Sequence, residues 1–234
     1  LTPEVRVFPT AEAVATASAG DFCRAVRASV GPFRVALAGG STPRATYDRL
    51  SRELLPWDRI FFYWGDERCV PVGHADRNDR MADEALLSRV ALPAGNIHRI
   101  PAELPDSEDA ARRYEALLNF KFDYVFLGLG ADGHTASLFP GTPAVTEATR
   151  RAVPVWVEAQ KSRRITLTLP VLNEAQNISF LAVGAEKAPM LARVCGLRPT
   201  PALPASLVRP ASGRLVWFVD AAATVGIDRR PPGT

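Results

Sequence analysis

A histidine stands two residues after an aspartate in Gly130-Ala131-Asp132-Gly133-His134, directly behind the apolar run 124–129. Imidazole is the side chain best suited to take a proton near neutral pH, and a carboxylate beside it can fix its orientation and tautomer. The flanking glycines let the backbone bend and present the ring from a loop. His134 and Asp132 thus have the parts of a general base and its orienting carboxylate; a surface or structurally satisfied loop histidine is the competing reading. The chain holds three histidines, and His74 and His98 lack comparable surroundings.

Other runs end in residues suited to anions. After 33–38 comes Gly39-Gly40-Ser41-Thr42-Pro43, then a helical stretch. Free N–H groups of Gly40, Ser41 and Thr42 at a helix start, with the two hydroxyls, can cradle a phosphate. A plain turn with a Ser/Thr cap and Pro43 at the first helical position accounts for the same residues. The spacing is neither that of a Walker A loop nor the G-x-G-x-x-G of a dinucleotide site. After 60–64 comes Gly65-Asp66-Glu67-Arg68, continuing to Asn78. Charges there must be paired, solvated or bound to a ligand, and Arg68 suits a phosphate or carboxylate fork. Lys187 follows the run 178–183, and only it, Lys121 and Lys161 are lysines among 28 basic residues. Arg163 and Arg164 stand just before the run 165–169, where they could supply cations at a strand's entrance, and alternation along extended chain lets only one of them face a given site.

The elements that must position these groups are short runs rich in β-branched and aromatic residues: 5–8, 33–38, 60–64, 124–129, 153–157, 165–169, 178–183 and 215–219. Helical spacing lies between them, as in Val14, Phe22, Val26 and Val30, or Ala110, Tyr114, Leu117 and Leu118 behind an Asp106-Ser107 cap. Near-continuous apolar strands alternating with amphipathic helices imply an α/β, doubly wound, mainly parallel sheet with helices on both faces, in a single domain spanning 1–234. Ligands of such folds sit beyond the carboxyl ends of the strands, where the groups above fall apart from Arg163 and Arg164, which stand at a strand's entrance. The 234 residues, 47% hydrophobic and 23% charged, suffice for a full core, which argues against disorder. No apolar run reaches membrane-spanning length and no signal-like start is present, so the cytoplasm is expected. Cys23, Cys69 and Cys195 stand far apart, suggesting core or loop residues rather than disulfides or a metal cluster. The net charge of +3 comes from scattered arginines, so neither nucleic acid nor membrane is an expected partner.

Taken together, five ordered segments resemble the lactonase branch of the glucosamine-6-phosphate isomerase/6-phosphogluconolactonase family. They are Ala38-Gly39-Gly40-Ser41-Thr42-Pro43, Trp64-Gly65-Asp66-Glu67-Arg68 with Val70-Pro71, the string from Leu127 through Asp132-Gly133-His134 to Pro140-Gly141, Arg164-Ile165-Thr166-Leu167-Thr168, and Val183-Gly184-Ala185-Glu186-Lys187. Aminosugar deaminases of the family carry Asn-Glu where this chain has Leu138-Phe139, and a tyrosine where it has Arg68. The resemblance implies hydrolysis of a sugar-phosphate lactone without metal or cofactor. His134 would be the base and Asp132 its partner, Gly40, Ser41, Thr42 and Lys187 would hold the phosphate, Arg68 and Arg164 would contact the phosphate or sugar end, and Asp66 and Asn78 the sugar hydroxyls. Rival readings are an aminosugar-phosphate isomerase/deaminase, a non-catalytic sugar-phosphate sensor, and a dinucleotide-dependent enzyme.

Overall fold

The computed structural model describes residues 4–196 and 198–225. Nine strands lie among them: β1 (Glu4–Phe8), β2 (Phe33–Leu37), β3 (Ile60–Trp64), β4 (Asp66–Arg68), β5 (Tyr124–Gly128), β6 (Ala152–Val157), β7 (Ser162–Leu167), β8 (Asn177–Ala182) and β9 (Arg214–Asp220). The helices are α1 (Ala11–Ala28), α2 (Ser41–Leu50), α3 (Asn78–Ala85), α4 (Ser107–Glu115), α5 (Leu169–Asn173) and α6 (Ala188–Gly196). Six strands form a parallel sheet in the order β1-β9-β8-β5-β2-β3. Its inner strands are buried on both faces, which is why they read as continuous apolar runs. Phe22 of α1 packs edge-on against Phe33 and Tyr124 and tilts over Phe126, whose ring also meets Tyr47 of α2. Phe180 and Trp217 stack as a cross-strand pair 3.9 Å apart.

Four expectations are corrected. Residues 153–157 and 165–169 do not join the parallel sheet; β6 and β7 pair antiparallel, and β7 pairs antiparallel with β4 in a separate sheet of order β4-β7-β6. Only residues 158–161 separate β6 from β7, with Lys161 in the left-handed region at φ 48°, and so short a link cannot make a parallel crossover. Val30 is not on the α1 stripe: the helix ends at Ala28, and Val30 is 99% exposed beside Gly31 at φ 84°. Leu117 likewise lies past the end of α4, 43% exposed. Pro43 is the third residue of α2 rather than its first, with Gly40 as the cap.

Gly65 joins the two sheets. Its N–H donates to Leu37 O at 2.9 Å and its carbonyl accepts from Leu167 N at 2.8 Å, so the second sheet is anchored at the carboxyl ends of β2 and β3. Two fully buried tyrosines tie off backbone there: the Tyr47 hydroxyl bonds Ala38 N and O at 2.8 and 3.0 Å, and that of Tyr114 bonds Trp64 N and O at 2.8 Å each. Since β3 is an edge strand, Tyr114 supplies partners that a neighbouring strand would otherwise give.

Candidate active site

The carboxyl ends of β2, β5 and β8 and the second sheet enclose a cleft of about 330 Å³. Gly40, Ser41, Thr42, Asp66, Arg68, Asn78, His134, Arg164 and Lys187 all line it. Asp132 does not line it and meets the histidine ring instead. Arg163 turns outward over Trp156, so of the adjacent pair Arg164 faces the site, as strand alternation requires.

Asp132 Oδ1 lies 2.5 Å from His134 Nδ1 and accepts the main-chain N–H of His134 at 3.0 Å. One carboxylate oxygen thereby fixes both loop and ring. Burial pushes the Asp132 carboxyl up, but the N–H and imidazole of His134 outweigh it and hold the group below its ordinary range. The ring stacks on Phe139, centroids 4.0 Å apart, and Nε2 has no protein partner among the described residues. The chain reaches this shape through small residues: a Cβ on Gly130 would lie 2.1 Å from His134 Nδ1, and Gly133 sits at φ 86°. Ala136 is left-handed at φ 48°, an uncommon state for alanine, pinned by Thr135 Oγ1 on Gly128 O and by Ser137.

Opposite the loop, Gly40 at φ 106° leads into α2, whose first N–H groups, with Ser41 and Thr42, open on the cleft. The capping is by glycine backbone, without a side-chain cap bond, so the hydroxyls remain free for a ligand. Gly39 must be glycine: a Cβ there would lie 1.9 Å from Asn78 Oδ1. Lys187 follows Gly184 at φ 102° and makes no ion pair among the described residues.

Asp66 and Glu67 show the alternation of β4. Asp66 faces the cleft, accepting from Ser137 Oγ at 2.6 Å and Asn78 Nδ2 at 3.3 Å, with Arg164 Nη1 3.7 Å away. Glu67 points beneath and accepts the N–H groups of Arg68, Asn78 and Asp79, each at 2.8 Å. It staples both ends of the 68–78 excursion, while Arg77, buried against Asp79 and Glu103, donates to Val70 O and ties the end of the excursion back to its start. Burial pushes the Glu67 carboxyl up to about 7, opposed by those three N–H groups. Glu67 is therefore structural. Sequence reasoning did not single out Ser137, whose only signal is a hydroxyl in a stretch otherwise closing into apolar Leu138 and Phe139, nor the stacking role of Phe139. Among the described residues no group of three or more His, Cys, Asp or Glu is placed to hold a metal ion.

A family model described as glucosamine-6-phosphate isomerases/6-phosphogluconolactonase matches residues 9–217. The chain belongs to this family. It is 41% identical over 212 residues to 6-phosphogluconolactonase of Synechocystis sp., covering 86% of each chain. It is 38% identical over 216 residues to the human GDH/6PGL endoplasmic bifunctional protein, covering 87% of this chain and 27% of that one. The structure of 6-phosphogluconolactonase from Trypanosoma brucei superposes with a TM-score of 0.86 at 29% identity, over 97% of this chain and 99% of the other. A monomeric glucosamine-6-phosphate deaminase superposes as well, TM-score 0.86, at 19% identity, and shares the fold alone. Fold therefore does not separate lactonase from deaminase, and the residues of the cleft must.

Proposed function

We propose that the chain hydrolyses 6-phospho-D-glucono-1,5-lactone to 6-phospho-D-gluconate, the second step of the oxidative pentose phosphate pathway, with His134 as general base. The observation that carries this is the Asp132–His134 pair at the edge of a cleft whose other walls supply cations and a helix N-terminus. Asp132 holds the proton on Nδ1, leaving Nε2 to take one from water. The water oxygen bonds to C1, and the carbonyl electrons move to its oxygen. On collapse the C1–O5 bond breaks, O5 takes the proton from the imidazole, and the acid product loses its own proton to solvent. Phosphate is held by Gly40, Ser41, Thr42 and Lys187, with Arg68 at the mouth; Asp66 and Asn78 meet sugar hydroxyls. The reaction needs no cofactor: a lactone is an activated ester, and the imidazole serves in place of a metal-bound hydroxide.

The partner is a small sugar phosphate rather than nucleic acid, since many of the arginines are engaged in ion pairs with acids, as Arg77, Arg99, Arg150 and Arg151 are. Three free cysteines fit a reducing cytoplasm, and among the described residues no helix is long and apolar enough to cross a membrane. The test is the rate of lactone loss above the spontaneous background. His134→Ala lowers kcat by roughly 10²-fold or more, the scale of a lost general base, and a variant with near-normal kcat removes His134 from the mechanism.

A further inference from the structure

Arg164 is 7% exposed, yet it lines the cleft. Its Nη2 is held by Gln160, and its Nη1 lies 3.5 Å from Ser137 Oγ and 3.7 Å from Asp66. Its Nε is buried with no hydrogen-bond partner among the described residues. Directly across the β4–β7 ladder stands Arg68, in register with Arg164, and the Nε of Arg68 is also buried and unpartnered. Like charges opposite one another on one face of a sheet repel. Burial and the Arg68 charge together hold the Arg164 guanidinium below its ordinary range, Asp66 only partly compensating. Such an arrangement persists at a cost unless an anion completes it.

Position separates the two arginines. Arg68 donates Nη1 to Asp76 O at 2.5 Å and is partly exposed, tied to the loop at the cleft mouth. The guanidinium of Arg164 lies 5.5 Å from the centre of the Phe139 ring, the ring on which His134 stacks at 4.0 Å. One aromatic ring thus holds both the base and a buried cation. A carbonyl that receives water activated by His134 has Arg164 as the nearby fixed donor for the charge it develops.

We propose that Arg164 is a catalytic residue at the reacting end of the cleft, stabilising the oxyanion formed at lactone C1 and then the product carboxylate, with Phe139 as the positioning residue shared with His134. This rests on the lactonase reading above. The electron pair displaced from the carbonyl onto oxygen faces the guanidinium and returns when the C1–O5 bond breaks, so Arg164 gives up no proton. Preorganised donors of this kind act without reorganising during the reaction.

Arg164→Gln, Arg164→Lys and Arg164→Ala are compared with wild type on 6-phosphoglucono-δ-lactone and on unphosphorylated glucono-δ-lactone, and their binding of 6-phosphogluconate is measured by calorimetry. Arg164→Gln is expected to lower kcat on both lactones by a similar factor, roughly 10²-fold, Arg164→Lys to recover part, and methylguanidinium to raise the rate of Arg164→Ala. Binding of the acid weakens roughly tenfold or more in Arg164→Gln, as for loss of one charge-assisted bond. A loss confined to KM of the phosphorylated lactone overturns the proposal by placing Arg164 on the phosphate. A lowered melting temperature with no guanidinium rescue overturns it by making the residue structural. Wild type that binds the acid, with Arg164-dependent affinity, but turns over neither lactone refutes the lactonase reading while keeping the anion contact. Wild type that does neither refutes both.

Discussion

Replacing Asp132 by asparagine removes one charge and almost nothing else, so it isolates what the carboxylate does for His134. Asparagine keeps an oxygen able to accept the His134 main-chain N–H, now at 3.0 Å, so the 130–134 loop is expected to hold its shape. What changes is the 2.5 Å contact to Nδ1, which loses its negative acceptor. A hydrogen bond to a charged group contributes about 1.5 to 3 kcal/mol. The Asp132 side chain is 49% exposed, and solvent screening places this one at the lower end. At about 1.4 kcal/mol per decade, kcat should fall roughly 10- to 30-fold, less than for His134→Ala. Because Asp132 is held below its ordinary range, it stays ionised through neutral assay conditions and is the charge that the substitution removes. Initial rates on the phosphorylated lactone, corrected for spontaneous opening, measure the loss. An unchanged kcat refutes the role given to Asp132.

Lys187→Ala should reduce kcat/KM for the phosphorylated lactone by roughly 10- to 150-fold and barely change hydrolysis of glucono-δ-lactone; equal losses on both place Lys187 elsewhere than on the phosphate. Gly130→Ala puts a Cβ 2.1 Å from His134 Nδ1 at a backbone position without positive φ, so circular dichroism should show a folded chain whose kcat falls at least as far as in Asp132→Asn; full activity would mean the ring does not work from its position over Gly130. Glu67 ordinarily titrates at 4.5 and here at about 7, so the folded chain binds the extra proton between those values and this group's contribution to stability declines as pH rises through that window. Thermal melts at about pH 5 and pH 8 should therefore show a larger loss for wild type than for Glu67→Gln, whose side chain does not titrate; equal losses contradict the assignment.

The parallel sheet was legible because its strands are buried on both faces and must be apolar throughout, as in 124–128 and 178–182. The cleft followed from the same pattern, since residues just beyond such strands are the ones a parallel sheet gathers, and nine of the ten expected site residues line it. The second sheet was not legible as a sheet. β4 is three charged residues, Asp66, Glu67 and Arg68, with no apolar alternation, and it forms because Gly65 carries the β2 ladder across to β7. Nor could the sequence say that α1 stops at Ala28, where Val30 continues the apolar spacing but the chain has already turned extended at Ser29.

What the sequence could not carry at all is register, and register makes the chemistry of this cleft. Asp66, Glu67 and Arg68 are adjacent, yet pairing with Thr166, Ile165 and Arg164 sends Asp66 and Arg68 to the ligand side and Glu67 beneath it. A one-residue slip would put Glu67 in the cleft and bury the other two, replacing an acid and a base on the ligand side by a single acid. The Glu67 staple onto Arg68, Asn78 and Asp79 opposes that slip, because three backbone donors would lose their acceptor in a buried setting. A carboxylate that does not line the cleft thus decides which charges do. The repulsion between Arg68 and Arg164 is the consequence of that register, and a phosphate at one end with a developing oxyanion at the other would turn it from a cost into binding energy available to the transition state.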